Sequence, residues 1–271
     1  MNEQERKDFF KKTFNTVSDG YDSAALRFFP ESAKQLSSFM NLQGNEHILD
    51  VATGTGNVAL TLAESLPDGQ VTGIDFSEGM LCRAREKKAA RTIRNVNFTE
   101  MDMQAIEFPD NRFDAATCAF SIFFLEDMQS QVSHMAEKVK HGGSVVTTTF
   151  QEKTFFPLIE IFLITLAHYD VEIPPMTWKR VATKEKCTSL FKDAALKDVR
   201  CEQKNHGFYL QNAAEWWELL WNGGYRGLIS QLSDDDMQKF KKEHLEEIQK
   251  LSTDEGIWMD VNVLYTLGTK V

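Results

Sequence analysis

From Glu46 to Phe150 the chain alternates between short apolar runs and longer stretches with apolar residues at helical spacing. The run HILDVA, from His47, reads as a buried strand interrupted by a single acid, Asp50. In the following NVALTLAESL, residues Val58, Ala59, Leu60, Leu62 and Ala63 form the apolar side of a helix, which Pro67-Asp68-Gly69 stops. The same rhythm predicts strands at QVTGIDF, VNFTEMD, FDAATCAFSIFF and SVVTTTF. It predicts helices at EGMLCRAREKKAAR and MQSQVSHMAEKVK, the second ended by Gly142-Gly143. Strands alternating with helices of about a dozen residues imply βαβ units and a mostly parallel α/β sheet.

The flanks follow a looser pattern. Residues 2–19 predict a helix with Phe9, Phe10, Phe14 and Val17 near one face, broken by SDGYDS. A second helix follows Pro30, with Ala33, Leu36, Phe39 and Met40 at helical spacing. After Phe150, FFPLIEIFLITLAHY predicts an apolar helix, broken by Pro174-Pro175. TKEKCTSLFKDA predicts another, before a strand over DVRCEQKNHGFYL. Asn212 with Glu215 and Ser233 with Asp236 look like helix openings, and Gly223-Gly224 a helix stop. Near the end, Val261, Val263 and Tyr265 alternate as in a strand. With no repeat or linker, the expectation is one domain over 1–271: an N-terminal helical part (1–45), a core (46–150), and a helical insertion with C-terminal strands (151–271).

Composition narrows the function classes. At 271 residues and 42% hydrophobic, the chain buries a sizeable core. Its formal charge of −10 opposes non-specific contact with nucleic acid, and no basic stretch is interleaved with aromatics. The charged MNEQERKDFF is not a secretory signal, and the longest apolar run is too short to span a membrane and contains Glu160. Four cysteines, Cys82, Cys118, Cys187 and Cys201, form no C-x-x-C pair and read as reduced thiols of a cytoplasmic protein. No metal-ligand spacing is visible.

The chemistry concentrates at the strand ends. GTGNVA, from Gly54 to Ala59, fits the G-x-G-x-x-A pattern of a nucleotide-binding turn. Asp50 lies four residues before the first glycine, where an ionised acid repels a pyrophosphate and attracts an ammonium. Asp75 ends the second strand, where a carboxylate accepts from two ribose hydroxyls. Asp102 ends the third, within reach of an adenine amino group. Three acids at successive strand ends describe a site for a cationic nucleoside, S-adenosylmethionine.

Taken together, Asp50-Val51-Ala52-Thr53-Gly54-Thr55-Gly56, Asp75-Phe76-Ser77 with Met80, and Asp102-Met103 leading into FPDNRFD resemble the motifs of class I S-adenosylmethionine-dependent methyltransferases. Within them the chain is similar to the ubiquinone and menaquinone methyltransferase branch, most specifically from Glu46 to Phe150. VSDGYDS, Val17–Ser23, resembles that branch's N-terminal lid. The resemblance implies a Rossmann-like, doubly wound, mostly parallel seven-stranded sheet with helical lid additions before it and after strand five. It implies that Asp50, with the backbone around Ala52 and Thr53, holds the methionine amino end, and that Gly54 and Gly56 admit the ligand. It assigns the ribose to Asp75, the adenine face to Phe76 and Met80, and the adenine edge to Asp102 with the Met103 backbone. Tyr21 closes over the methionine part and Phe120 lies beside the ligand. The acceptor is then a small or lipid-like molecule. A nicotinamide-dependent oxidoreductase, disfavoured by Asp50 and Asp102, and a binding protein without turnover are the alternatives.

Other residues have a bland and a sharp reading. Phe28, Phe29, Phe155, Phe156, Leu158, Ile159, Phe162, Leu163, Trp216, Trp217 and Trp221 are either an apolar cover over the acceptor or core. His168 and His206 are either bases or ordinary surface histidines. Methyl transfer from a sulfonium needs alignment and exclusion of water rather than a covalent intermediate, so no catalytic residue is named.

Overall fold

A computed structural model of the chain describes residues 2–173 and 176–271, so the expected break at Pro174-Pro175 lies outside the described residues. Helix α1 (Glu3–Val17) opens on a reciprocal cap: Asn2 accepts from the Glu5 amide at 2.9 Å and the Glu5 carboxylate from the Asn2 amide at 2.8 Å. Helix α2 (Phe28–Met40) starts before Pro30 rather than after it, leaving the proline in the first turn, where no amide partner is lost. There follow β1 (His47–Val51), α3 (Asn57–Glu64), β2 (Gln70–Asp75), α4 (Glu78–Ala90), β3 (Val96–Glu100), β4 (Phe113–Ala119), α5 (Met128–Lys138) and β5 (Val139–Phe150). The rest of the chain forms α6 (Leu158–Ala167), α7 (Lys184–Asp193), β6 (Lys197–Asn205), β7 (Phe208–Leu210), α8 (Ala213–Asn222), α9 (Arg226–Ile229), α10 (Asp234–Gln249), β8 (Ile257–Met259) and β9 (Asn262–Thr269).

Two further predicted boundaries are corrected. Gly142-Gly143 do not stop α5; they lie inside β5, where the register against β4 shifts between Phe113 and Ala115. Gly142 takes φ +79°, and a Cβ on Gly143 would sit 2.4 Å from the Asp114 carbonyl, so both glycines serve an irregular strand rather than a helix end. The run 198–210 is two strands, not one. The chain turns at His206-Gly207, β6 joins the large sheet, and β7 pairs antiparallel with β8.

The chain divides into two units, each assembled from three stretches. One comprises Phe29–Glu152, Thr177–Lys204 and Val263–Val271. It holds a seven-stranded sheet in the order β3-β2-β1-β4-β5-β9-β6. Strands β1 to β5 are mutually parallel, and β9 runs antiparallel to β5. Ile48, Leu49, Val51, Val71, Ile74, Ala116, Val145 and Val146 are all buried, as both faces of a covered parallel sheet require. The order reverses between β1 and β4, the point at which open α/β sheets bind ligands outside the carboxyl ends. Register places Asp50 between Gly73 on β2 and Thr117 on β4.

The other unit comprises Met1–Phe28, Lys153–Met176 and Asn205–Asn262. Its core is aromatic. Trp216 is fully buried and donates from Nε1 to His244 Nε2 at 2.9 Å. The His244 ring stacks on Phe240 with centroids 5.5 Å apart, and Phe162 meets Phe240 edge-on at 5.8 Å. Phe28, Phe155, Leu158, Ile159 and Trp217 are buried as well, so for these the bland reading of the apolar segments describes the structure. Phe156, half exposed, is an exception. Asn212 caps α8 by accepting from Ala214 and Glu215, whereas the Glu215 carboxylate turns to the Gln211 amide and the Arg27 guanidinium.

Candidate functional site

The loop after β1 turns through positive φ at Ala52 (+53°), Gly54 (+55°) and Gly56 (+79°). The Thr53 amide donates to the Ile74 carbonyl at 2.8 Å, tying the loop to β2. The two motif glycines do different work. A Cβ on Gly56 would come within 3.0 Å of the Phe98 ring and 3.1 Å of the Ala84 Cβ, so this glycine allows close packing of sheet and helix. A Cβ on Gly54 would meet nothing within 4 Å. The missing side chain there leaves an open approach to loop backbone.

Asp50 is buried beneath this loop. One carboxylate oxygen accepts from the Thr53 hydroxyl and the other from the Thr117 hydroxyl, both at 2.6 Å. Burial pushes its carboxyl up to about 6, against the opposing pull of the Thr117 and Thr53 hydroxyls and the Ala59 amide; the nearby Asp75 charge adds to the rise. Asp50 thus organises the loop from within, with protein donors on both oxygens.

Asp75, at the end of β2, is also buried. It accepts from the Gly54 amide at 2.8 Å and the Ser77 amide at 2.9 Å. Its carbonyl takes the Met101 amide at 2.9 Å, which ties the ends of β2 and β3 together. Asp102 lies beyond the end of β3 rather than on it, half-buried, with its carboxylate on the Gln104 amide at 2.9 Å. Phe76 is half-buried and Met80 buried at the start of α4, where Ser77 caps the Met80 amide. Phe120 takes φ +55° directly after β4, and its amide donates to the Thr148 carbonyl on β5.

Because β1 to β5 are parallel, the segments that follow them share one edge of the sheet. Asp50, Ala52, Thr53, Gly54, Gly56, Asp75, Phe76, Met80, Asp102, Met103 and Phe120 therefore belong to one end of one unit. Tyr21 belongs to the other unit, its ring edge-on to Phe14 with centroids 6.3 Å apart. His168 caps the exposed end of α6, and His206 sits between β6 and β7. Among the described residues no His, Cys, Asp or Glu cluster suits a metal ion.

Three supporting residues escape the motif reading. Thr117 is a polar position in the apolar run of β4, a signal visible in the sequence once the Asp50 register is known. Gln131 on α5 is buried and donates to the Met103 carbonyl at 2.7 Å, fixing the third loop. Lys87 on α4 donates to Asn57 at 2.8 Å and Thr55 at 3.2 Å, securing the glycine loop from outside.

The donor set fits S-adenosylmethionine: open backbone at Gly54, acids at the end of β2 and beyond β3, and an apolar side chain at Phe76. Residues 48–143 match the family model described as a methyltransferase domain. The demethylmenaquinone methyltransferase of Bacteroides fragilis is 30% identical over 168 residues, covering 60% of this chain and 69% of that protein. The enzyme of the same name from Shouchella clausii is 28% identical over 223 residues, covering 76% and 93%. Among solved structures, phosphoethanolamine N-methyltransferase 2 of Haemonchus contortus, in complex with phosphomonomethylethanolamine and S-adenosylhomocysteine, superposes with a TM-score of 0.60. It is 16% identical and covers 98% of this chain and 60% of its own, a likeness of fold. The chain is a class I S-adenosylmethionine-dependent methyltransferase and belongs to the family that includes the demethylmenaquinone methyltransferases.

Proposed function

We propose that the enzyme moves the methyl group by in-line displacement to a small acceptor with an apolar or aromatic body, such as a quinol or phenol. The observation that carries this reading is an aromatic cluster at the carboxyl ends of β4 and β5. Phe120 meets Phe150 with centroids 4.6 Å apart and Phe29 at 5.1 Å; Phe123 lies 6.2 Å from Phe150 and 4.9 Å from Phe124. The Arg180 guanidinium donates to the carbonyls of Phe123, Leu125 and Glu126, holding that segment in place. Phe29, Phe124 and Phe150 keep part of their surface exposed, as an apolar binding wall requires. The names of the curated relatives, which specify a demethylmenaquinone substrate, point the same way.

S-adenosylmethionine supplies a methyl group activated on a sulfonium. In this reading Asp75 binds the ribose, and Asp102 with the Met103 backbone binds the adenine edge. Phe76 and Met80 pack on the adenine face, and the Ala52–Gly54 backbone receives the methionine end. Asp50 sets the loop conformation and its negative potential. The phenylalanines exclude water and align the acceptor, which concentrates catalysis in positioning. The two units are read as parts of one methyltransferase domain, since neither is a contiguous stretch of chain. A cytoplasmic location suits its free cysteines; among the described residues no helix is long and apolar enough to cross a membrane.

The test is methyl transfer from labelled S-adenosylmethionine onto quinols, phenols, amines and lipids, beside tRNA, DNA and protein extracts. Label is expected in the organic-soluble fraction, and it falls when Phe120 or Phe150 is cut to Ala in a folded variant. Label confined to nucleic acid or protein overturns the reading.

A further inference from the structure

Thr148, two residues before the end of β5, is fully buried. Register sets it opposite Ala119 on β4 and Tyr265 on β9, so these three side chains and that of Phe150 share one face of the sheet. Helix α2 covers that face: the hydroxyls of Tyr265 and Ser32 lie 2.8 Å apart. The same helix carries Phe29, whose ring meets Phe120. The Thr148 carbonyl accepts the Phe120 amide at 2.9 Å, and the Phe120 ring meets Phe150. The Thr148 hydroxyl is therefore on the face where the aromatic cluster gathers. Nearby threonines have partners: Thr149, on the opposite face, donates to the Val181 carbonyl at 3.0 Å, and Thr117 to Asp50 at 2.6 Å. Thr148 Oγ1 is buried with no hydrogen-bond partner among the described residues. Desolvating a hydroxyl without a partner costs free energy that valine, of the same shape, would not incur.

We propose that Thr148 determines acceptor specificity: its hydroxyl donates a hydrogen bond to an oxygen on the acceptor ring, which selects quinols and phenols over hydrocarbons of the same shape. This role rests on the aromatic-acceptor reading above. Phenylalanine rings hold the body of an acceptor by apolar contact, which does not distinguish one edge of it from another. One donor set among them fixes the oxygen-bearing edge, and with it the ring atom presented to the methyl group. A site of this kind rejects the analogue that lacks the oxygen, because the buried hydroxyl then stays unsatisfied. Ala119, opposite Thr148, is partly exposed, whereas Thr117, Cys118, Val146 and Thr147 are buried, so the sheet opens at this pair rather than deeper along the ladder. An unsatisfied group kept at such an opening is a local cost of the kind that binding sites carry.

The experiment uses the full chain saturated with S-adenosylhomocysteine and two probes of one shape, 2-naphthol and naphthalene, in equilibrium dialysis. Parent, Thr148→Val and Thr148→Ser are compared. Thr148→Val is expected to lower the affinity for 2-naphthol relative to naphthalene by about tenfold, the loss of one hydrogen bond, while Thr148→Ser keeps the parent's ratio. The urea midpoint of Thr148→Val is expected to equal or exceed that of the parent, since the hydroxyl gives up no bond within the protein. An unchanged ratio in Thr148→Val, with both probes bound, overturns this role and leaves the aromatic-acceptor reading in place. A fall in its urea midpoint shows that the hydroxyl is bonded within the folded protein and overturns the role as well. Failure of the parent to bind either probe overturns the aromatic-acceptor reading, and this role with it.

Discussion

The Asp75 carboxylate accepts the Gly54 amide at 2.8 Å, so the acid that ends the second strand also fastens the glycine loop after the first. Asp75→Ala removes an acceptor from two amides, Gly54 and Ser77, as well as the proposed ribose contact. Affinity for S-adenosylmethionine is expected to fall by about 1.5–3 kcal/mol for each charge-assisted hydrogen bond lost, with a drop in Tm alongside. Titration calorimetry and thermal unfolding read the two effects. Unchanged affinity in a folded variant would remove the ribose assignment.

The two motif glycines should fail in different ways. Gly54→Val places a branched side chain into the open approach at φ +55°, and is expected to lose ligand binding with a backbone-strain cost of about 1–3 kcal/mol but no clash with neighbouring side chains. Gly56→Val drives carbon into Phe98 and Ala84 and is expected to lose stability first. Urea unfolding beside calorimetric binding separates them, and the opposite ranking contradicts the division of roles.

Asp50 gives the sheet unit a pH signature. Its carboxyl titrates near 6 when folded against 3.8 as the reference value, so between those values the folded state holds a proton the unfolded chain has released. This contribution to stability is complete below about pH 4 and is lost as pH rises through 6, amounting to about 3 kcal/mol. Asp50→Asn does not titrate. The stability of the parent relative to this variant is expected to fall by that order from pH 4 to 7. A flat difference in urea midpoints would show that the buried acid is ionised throughout.

His244, in the other unit, carries the opposite sign. Burial pushes its imidazole down to about 4, so its contribution is present above the unfolded value of 6.5 and lost as pH falls through 4. Its Nε2 is the acceptor for Trp216. His244→Phe should therefore cost about 1–3 kcal/mol at pH 7, by stranding the indole proton, and the cost should shrink toward pH 4. Tryptophan fluorescence during denaturation follows it. A cost that grows on acidification contradicts a neutral buried histidine.

The parallel half of the sheet was readable because each strand and helix there keeps its own hydrophobic period, and the acids stand at strand ends where a polar residue breaks an apolar run. Asp50, Asp75 and the glycines were legible for that reason. What was not legible depends on partners distant in the chain. Nothing local in FDAATCAF says that Thr117 faces Asp50; only the β1–β4 register does. The tryptophans of α8 show the same helical spacing whether they line a wall or fill a core, and packing against α10 settles it for Trp216 and Trp217. Gly142-Gly143 carry the composition of a helix stop, yet a strand irregularity uses the same freedom at positive φ.

Strand β9 lies between β5 and β6, although it follows β6 in the chain by more than fifty residues. A ribosome delivers β5 and β6 long before the strand that must separate them. Until β9 emerges, the free edge of β5, with Val145 and Val146, offers an incomplete ladder to any passing strand. Direct pairing of β5 with β6 would be a register trap rather than a step toward the native sheet. The order of synthesis thus makes the closing of this sheet a late event. Chaperone dependence during translation, and aggregation of nascent chains arrested before Asn262, are its natural consequences.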